Sequence, residues 1–223
     1  MLLVEKYSNQ MEKYIIIKCF LILDVAIVRV KKGCNMTAEK IVVGLTGMPG
    51  SGKSLVVAAA RLIGYDVVVM GDIVREETKN RGLELNPKNI GKVMLELREN
   101  CGASVIADKC IAKVERKRSA KVIIDGIRSP SEVEAFKKHF PKFSIIAVHS
   151  SSEARFNRLY RRRRSDDPDG WELFHNRDMR ELRVGLGNAL ALAEYMIINE
   201  NSRNRAKAKA KRVLRRIEQK WKR

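Results

Sequence analysis

Metal-binding and disulfide patterns are missing from this chain. Its four cysteines, Cys19, Cys34, Cys101 and Cys110, include no C-x-x-C pair, and its three histidines, His139, His149 and His175, are scattered. That excludes a zinc framework of recognisable spacing and argues against a disulfide scaffold. A reducing, cytoplasmic compartment is the expectation. Long apolar runs are missing too. Tyr14 to Val30 is strongly apolar, but Lys18, Asp24 and Arg29 interrupt it, so no run approaches the ~18–20 residues of a membrane span. No small-residue cleavage site follows, which makes the stretch a poor fit to a signal peptide. Acids are scarce: 26 Asp and Glu against 45 Lys and Arg leave a formal net charge of +19. Such a balance suits polyanionic partners (nucleotides, nucleic acid, an anionic surface), although a solvated basic surface would read the same way.

What is present is a globular composition, 45% hydrophobic and 32% charged over 223 residues, enough for one sizeable core with or without a small lobe. The most informative stretch is Ile41-Val42-Val43-Gly44-Leu45-Thr46-Gly47-Met48-Pro49-Gly50-Ser51-Gly52-Lys53-Ser54. A β-branched run ends in a glycine-rich turn and then gives way to helix formers. Gly47, Gly52, Lys53 and Ser54 fill the phosphate-binding pattern G-x-x-x-x-G-K-S/T. Residues Gly47, Met48, Pro49, Gly50, Ser51, Gly52, Lys53 and Ser54 are therefore expected to cradle ATP, with backbone N–H groups turned to phosphate oxygens. Lys53 is placed to reach the β- and γ-phosphates, and the Ser54 hydroxyl to ligate Mg²⁺.

From Lys40 onward, strands and helices alternate. Strands are expected at Ile41–Thr46, Asp66–Met70, Lys121–Ile124, Phe143–Val148 and Tyr195–Ile198. Helices are expected at Lys53–Ile63, from Gly71, from Asn86-Pro87 to about Asn100, and over Ala103–Arg118. Further helices are expected at Ser131–His139, Ser152–Arg164, Trp171–Leu192 (with weak points at Gly185 and Gly187) and Ser202–Lys222. Five short apolar strands between helices imply a parallel sheet covered on both faces, with ligands at the carboxyl ends of the strands. Residues 1–38 precede this pattern as an N-terminal extension. They read either as an extra hairpin or packed helix, or as a stretch outside the functional core, since Met36-Thr37-Ala38-Glu39-Lys40 leads straight into the first strand.

Further candidates sit at strand ends. Val122-Ile123-Ile124-Asp125 is an apolar strand ending in an acid suited to holding Mg²⁺. Arg75 and Arg128 are placed to clamp the phosphate of a second substrate, the alternative for Arg128 being a surface pair with Glu132 or Glu134. Asp72 is either a general base toward an acceptor hydroxyl or a helix cap. Arg155, Arg158, Arg161, Arg162, Arg163 and Arg164 crowd one helix and its exit, ahead of the acidic loop Ser165–Gly170. On a lid they would neutralise charge on a transferring phosphoryl group. Arg158 and Arg162 share a face at i, i+4 spacing, with Arg177 and Arg180 as further candidates.

Taken together, Gly47–Ser54, Gly71-Asp72-Ile73-Val74-Arg75, Asp125-Gly126-Ile127-Arg128, the arginine-rich segment and Ala193-Glu194-Tyr195-Met196-Ile197-Ile198-Asn199 resemble the nucleoside monophosphate kinase group of P-loop kinases. The resemblance spans roughly residues 40–200 and is closest to an archaeal family described as related to dephospho-CoA kinase and adenylate kinase. It implies an α/β P-loop NTPase three-layer fold with a five-stranded parallel sheet and a lid at about 155–187 within a 39–200 domain. It also implies an acceptor-phosphate role for Arg75 and a catalytic one for Asp72. The proline of the adenylate kinase D-G-F-P-R pattern is missing at 125–128, which leaves the acceptor open between nucleoside monophosphate and dephospho-CoA types. The other class that fits is an ATP-hydrolysing regulatory or RNA-associated switch. Residues 201–223 form a basic helix with eleven basic residues against Glu218. That helix reads as a packed amphipathic element, an RNA-binding tail or a solvated surface.

Overall fold

In the computed structural model the described residues are 39–164, 167–200 and 202–222, and they belong to one compact unit, Glu39–Arg223. The readings made for residues 1–38, including Cys19, Cys34 and the Tyr14–Val30 stretch, lie outside them, as do Ser165 and Asp166 of the acidic loop. The elements run β1 (Ile41–Thr46), α1 (Lys53–Arg61), β2 (Asp66–Val69), α2 (Met70–Asn80), α3 (Pro87–Cys101), α4 (Val105–Glu115), β3 (Lys121–Ile127) and α5 (Pro130–His139). They continue with β4 (Phe143–His149), α6 (Ser152–Arg162), α7 (Trp171–Val184), α8 (Leu186–Ala191), β5 (Tyr195–Ile198) and α9 (Arg203–Lys222).

The five strands are all parallel, in the order β2-β3-β1-β4-β5. β1, β3 and β4 lie inside the sheet, and their sequences are near-continuous apolar runs because both faces are covered. Alternate residues feed two cores. Val42, Val122, Ile124, Phe143 and Ile145 pack with Ile73, Val93, Ile106, Cys110, Val133 and Phe136 from α2 to α5. Val43, Leu45, Ile123, Ile146 and Val148 pack with Val56, Ala59 and Ala60 of α1 and with Ala210, Leu214 and Ile217 of α9. The strand period of two thus sends one set of side chains to each helical layer.

Differences from the expected boundaries have local causes. β3 continues past Asp125 through a bulge: Leu45 pairs with Asp125 but Thr46 pairs with Ile127, and Gly126, at φ +106°, absorbs the extra residue. The expected Trp171–Leu192 helix breaks at Gly185, whose φ of +103° ends α7 and begins α8. α6 stops at Arg162 because Arg163 adopts a left-handed φ of 50°. Asn86 caps α3 as its position before Pro87 implies, its side chain accepting from Asn89 N–H.

One polar cluster is carried deep into the larger core. Glu132 is fully buried, closes a capping box with Ser129 at the start of α5, and accepts from the Arg128 N–H at 2.7 Å and from Arg98 Nη2 at 2.7 Å. Arg98 Nε and Nη1 are buried and have no partner. Removing the carboxylate leaves an uncompensated buried guanidinium, which costs about 3–5 kcal/mol. Glu132→Ala is therefore expected to lower the unfolding free energy, read from denaturant titration, by that amount, and adding Arg98→Met should restore part of the loss. An additive double mutant would show that the pair is not coupled.

Candidate active site

The glycine loop joins β1 to α1, and three of its peptide carbonyls are held by donors outside the cleft. Arg155 Nη1 donates to Pro49 O at 3.2 Å, and Arg158 Nη1 donates to Gly50 O at 3.3 Å. The Asn199 side chain donates to Ser51 O at 2.8 Å. These donors come from α6 and from the end of β5, and none of the three lines the cleft above the loop. Carbonyls drawn to that side leave the opposite side of the peptides to N–H groups, the arrangement an anion needs. Glycine is demanded by space as well as by conformation. At Gly50, φ is +79° and a Cβ would stand 2.7 Å from Arg155 O; at Gly52, φ is +97° and a Cβ would stand 2.1 Å from Asn199 Nδ2.

The donors are themselves fixed. Arg155 is buried and forked onto Asp178 of α7 at 2.9 and 2.5 Å, with its guanidinium 4.9 Å from the centre of the Phe174 ring. Arg158 also donates to Ser150 Oγ at 2.7 Å and to Asn199 O at 2.6 Å. The sequence placed Arg158 beside Arg162 on a lid, as a transition-state arginine. The structure instead spends its guanidinium on the underside of the loop, and only Arg162 of that pair lines the cleft. An arginine one turn nearer the start of α6 lies beneath the loop; one turn further along, it reaches over it.

Lys53 Nζ lies back on the loop, donating to Gly47 O at 2.6 Å and Met48 O at 3.2 Å. Burial lowers its pKa to about 8; the Asp125 and Glu181 carboxylates pull the other way, and the Arg128 and Arg177 cations add to the lowering. Burial also pushes the Asp125 carboxyl up, against the Lys53 and Arg128 charges, and Asp72 pushes it further. Asp125 Oδ1 is buried without a hydrogen-bond partner, while Ser54 stands exposed in the first turn of α1. An unsatisfied carboxylate oxygen and a hydroxyl near a phosphate cradle fit Mg²⁺, which takes few protein ligands and completes its shell with water and phosphate.

The cleft holds about 190 Å³ and is lined by Gly47, Pro49, Gly50 and Lys53 of the loop, by Arg128 after β3, and by Arg162, Arg164, Arg177 and Glu181. Arg128 pairs with Glu181 at 3.0 Å, not with Glu132 or Glu134. Arg162 is forked onto Asp167, which also lies 3.8 Å from Arg177. Burial opposes ionisation of Asp167, but hydrogen bonds from Arg162 and the Arg164 N–H, with the Arg162 and Arg177 charges, hold its pKa below the ordinary carboxylate value. Asp72 and Arg75 lie at the start of α2 and pair with each other at 2.6 Å, both half-exposed. Neither lines the cleft, and the Asp72 side chain makes no capping bond. Glu181 and Asp178 were not singled out from sequence, and Asp167 and Asn199 entered it only as members of the acidic loop and of the last strand's end. Asn199 had a usable signal, as the polar residue ending an apolar strand in a parallel sheet. The acids on α7 had none, since their partners lie far along the chain.

This fold and loop define a class, the P-loop kinase-like proteins. The sequence profile of the AAA domain matches residues 46–175. Shikimate kinase from Acinetobacter baumannii, solved with shikimate, superposes with a TM-score of 0.56 over 81% of this chain and 94% of that one, at 17% identity. TT1252 from Thermus thermophilus gives 0.56 over 80% and 98%, at 18% identity. Within the class the sequence is more specific. A UPF0200 protein of Hyperthermus butylicus is 46% identical over 180 residues, 81% of this chain and 96% of the relative. A UPF0200 protein of Methanothermobacter thermautotrophicus is 42% identical over 81% of this chain and 92% of its own length. The chain belongs to the UPF0200 family.

Two measurements follow from this geometry. Arg158→Ala should weaken ATP binding about tenfold and lower Tm, because the loop loses its support; a fall in kcat with ATP binding and Tm unchanged would place Arg158 in the chemistry. With ATP and EDTA at pH 8.5, Lys53 is mostly neutral before binding, since its pKa is about 8. Phosphate raises that pKa again, so binding should take up a proton, seen as a buffer-dependent heat in titration calorimetry. Lys53→Met should abolish the uptake, and uptake surviving in that variant would assign the proton elsewhere.

Proposed function

We propose that this protein transfers the γ-phosphate of ATP to a small nucleotide-like acceptor, of the nucleoside monophosphate or dephospho-CoA type. The observation that carries the reading is the convergence of Lys53, Arg128, Arg162, Arg164 and Arg177 on one cleft beside the glycine loop. One triphosphate needs fewer cations than that; two phosphorylated ligands meeting end to end use them all. Gly47–Ser54 binds the donor. Arg128 holds the acceptor in the cleft; Arg75 and Asp72, just outside its lining at the start of α2, would serve it as anion clamp and as base toward a hydroxyl once their mutual ion pair opens. Arg162, where the segment 155–187 passes from beneath the loop to the cleft, stabilises the charge of the moving phosphoryl group. Ser54 and Asp125 would hold Mg²⁺, which when bound neutralises charge on the β- and γ-phosphates. Catalysis is then alignment plus fixed positive charge in a site shielded from water. Residues 39–200 carry this reaction, and no described helix is long and apolar enough to cross a membrane.

The test is incubation with ATP, Mg²⁺ and a panel of nucleoside monophosphates, deoxynucleotides and dephospho-CoA. One phosphorylated acceptor per ATP consumed is expected. Inorganic phosphate alone, accelerated by RNA, would replace the transferase reading with a nucleotide-driven switch. Lys53→Ala should abolish turnover with Tm preserved, and Arg162→Ala should lower kcat about 10²-fold or more with little change in ATP affinity.

A further inference from the structure

Phosphoryl transfer leaves the outer face of α9 unused. This helix carries ten basic residues and one acid, Glu218. Its inner row, Ala206, Ala210, Leu214 and Ile217, is buried, and the last three sit in the core against α1. The opposite row is Arg205, Ala208, Arg212, Arg215, Arg216, Gln219 and Lys222, spaced three or four apart and exposed. Elsewhere on the helix, acids are matched: Lys220 pairs with Glu194 at 2.8 Å, and Glu218 pairs with Lys121 at 3.0 Å. Among the described residues, none of the five cations on the outer row has a carboxylate partner. Arg212 with Arg215 and Arg216 are like charges at i, i+3 and i, i+4, which repel. The fold therefore maintains an unrelieved cationic edge on a rigid rod about 30 Å long.

We propose that this edge binds the phosphate backbone of double-stranded nucleic acid, without regard to sequence. A regular row of cations matches a regular row of phosphates, and counterion release drives the association. No aromatic residue lies on the outer row; Trp221 is half-buried and donates to Ser144 Oγ at 3.1 Å. A stacking platform for unpaired bases is thus missing. A membrane surface is disfavoured by the same row, which presents no large apolar side chain to insert.

The experiment is fluorescence anisotropy of the full chain with a labelled 20-base-pair RNA duplex across 50–200 mM salt. Neutralising about five phosphates predicts a loss of roughly 10²–10³-fold in affinity over that range. Arg205→Glu/Arg212→Glu/Arg216→Glu should weaken binding at least tenfold and flatten the salt slope, with ATP binding at the glycine loop and Tm unchanged. The triple Arg→Lys variant should bind as the parent does. An equal charge change elsewhere, Lys79→Glu/Lys88→Glu/Lys138→Glu, should have less than a third of the effect on a logarithmic scale. Salt-independent binding, equal loss in the two charge-reversed variants, or binding to anionic vesicles in preference to the duplex would each overturn the proposal. Each outcome is separate from the transferase test, because the outer row takes no part in the cleft.

Discussion

The direction of three peptide carbonyls, those of Pro49, Gly50 and Ser51, governs the nucleotide site. A loop of glycines has no preference of its own for the arrangement it adopts. Arg155, Arg158 and Asn199 impose one by supplying donors on the side away from the cleft. The cost of taking one guanidinium group fully, and a second partly, out of water is met differently in each case. Arg155 has a buried carboxylate and an aromatic face, while Arg158 has backbone and hydroxyl oxygens. An arginine bonded to neutral oxygens holds geometry while keeping its full charge, so Arg158 also adds positive potential beneath the anion site, whereas the charge of Arg155 is balanced by Asp178.

A similar division of labour is visible above the loop, where acids set the positions of cations. Asp167 sits between Arg162 and Arg177, and Glu181 holds Arg128. Without these carboxylates, several long flexible side chains would have to be ordered by the ligand itself, at a cost in rotamer entropy for each. With them, the cleft is partly organised before anything binds. Lys53 registers the balance: burial and the neighbouring arginines depress its pKa, and Asp125 and Glu181 limit the depression.

The layered sheet and the phosphate loop were legible from sequence because each is written in contiguous residues. Strand-length apolar runs and a glycine spacing are local signals, and the parallel sheet follows from their alternation. The division among the arginines was not legible. Arg155, Arg158 and Arg162 share a basic run, yet two lie under the loop and one lines the cleft, because α6 passes the loop edge between its second and third turns. Helical spacing says which residues share a face but not what that face meets. The bulge at Gly126 and the helix break at Gly185 were equally hidden, since a glycine is compatible with both regular and left-handed backbone until its neighbours are known. The role of the C-terminal helix stood between these cases: its apolar stripe was readable, its partner α1 was not.

The bond from Asn199 to Ser51 spans 148 positions of the chain. The signature at 47–54 leaves the ribosome early, but the residues that orient it arrive in instalments: Arg155 and Arg158 with α6, Asp178 with α7, Asn199 at the end of β5. Until β5 has added to the sheet edge beside β4, a nascent chain carries the complete motif without the structure that gives it meaning. A phosphate group can therefore meet an ordered loop only after β5 has joined the sheet. The most local feature of the sequence is thus ordered by contacts far along the chain.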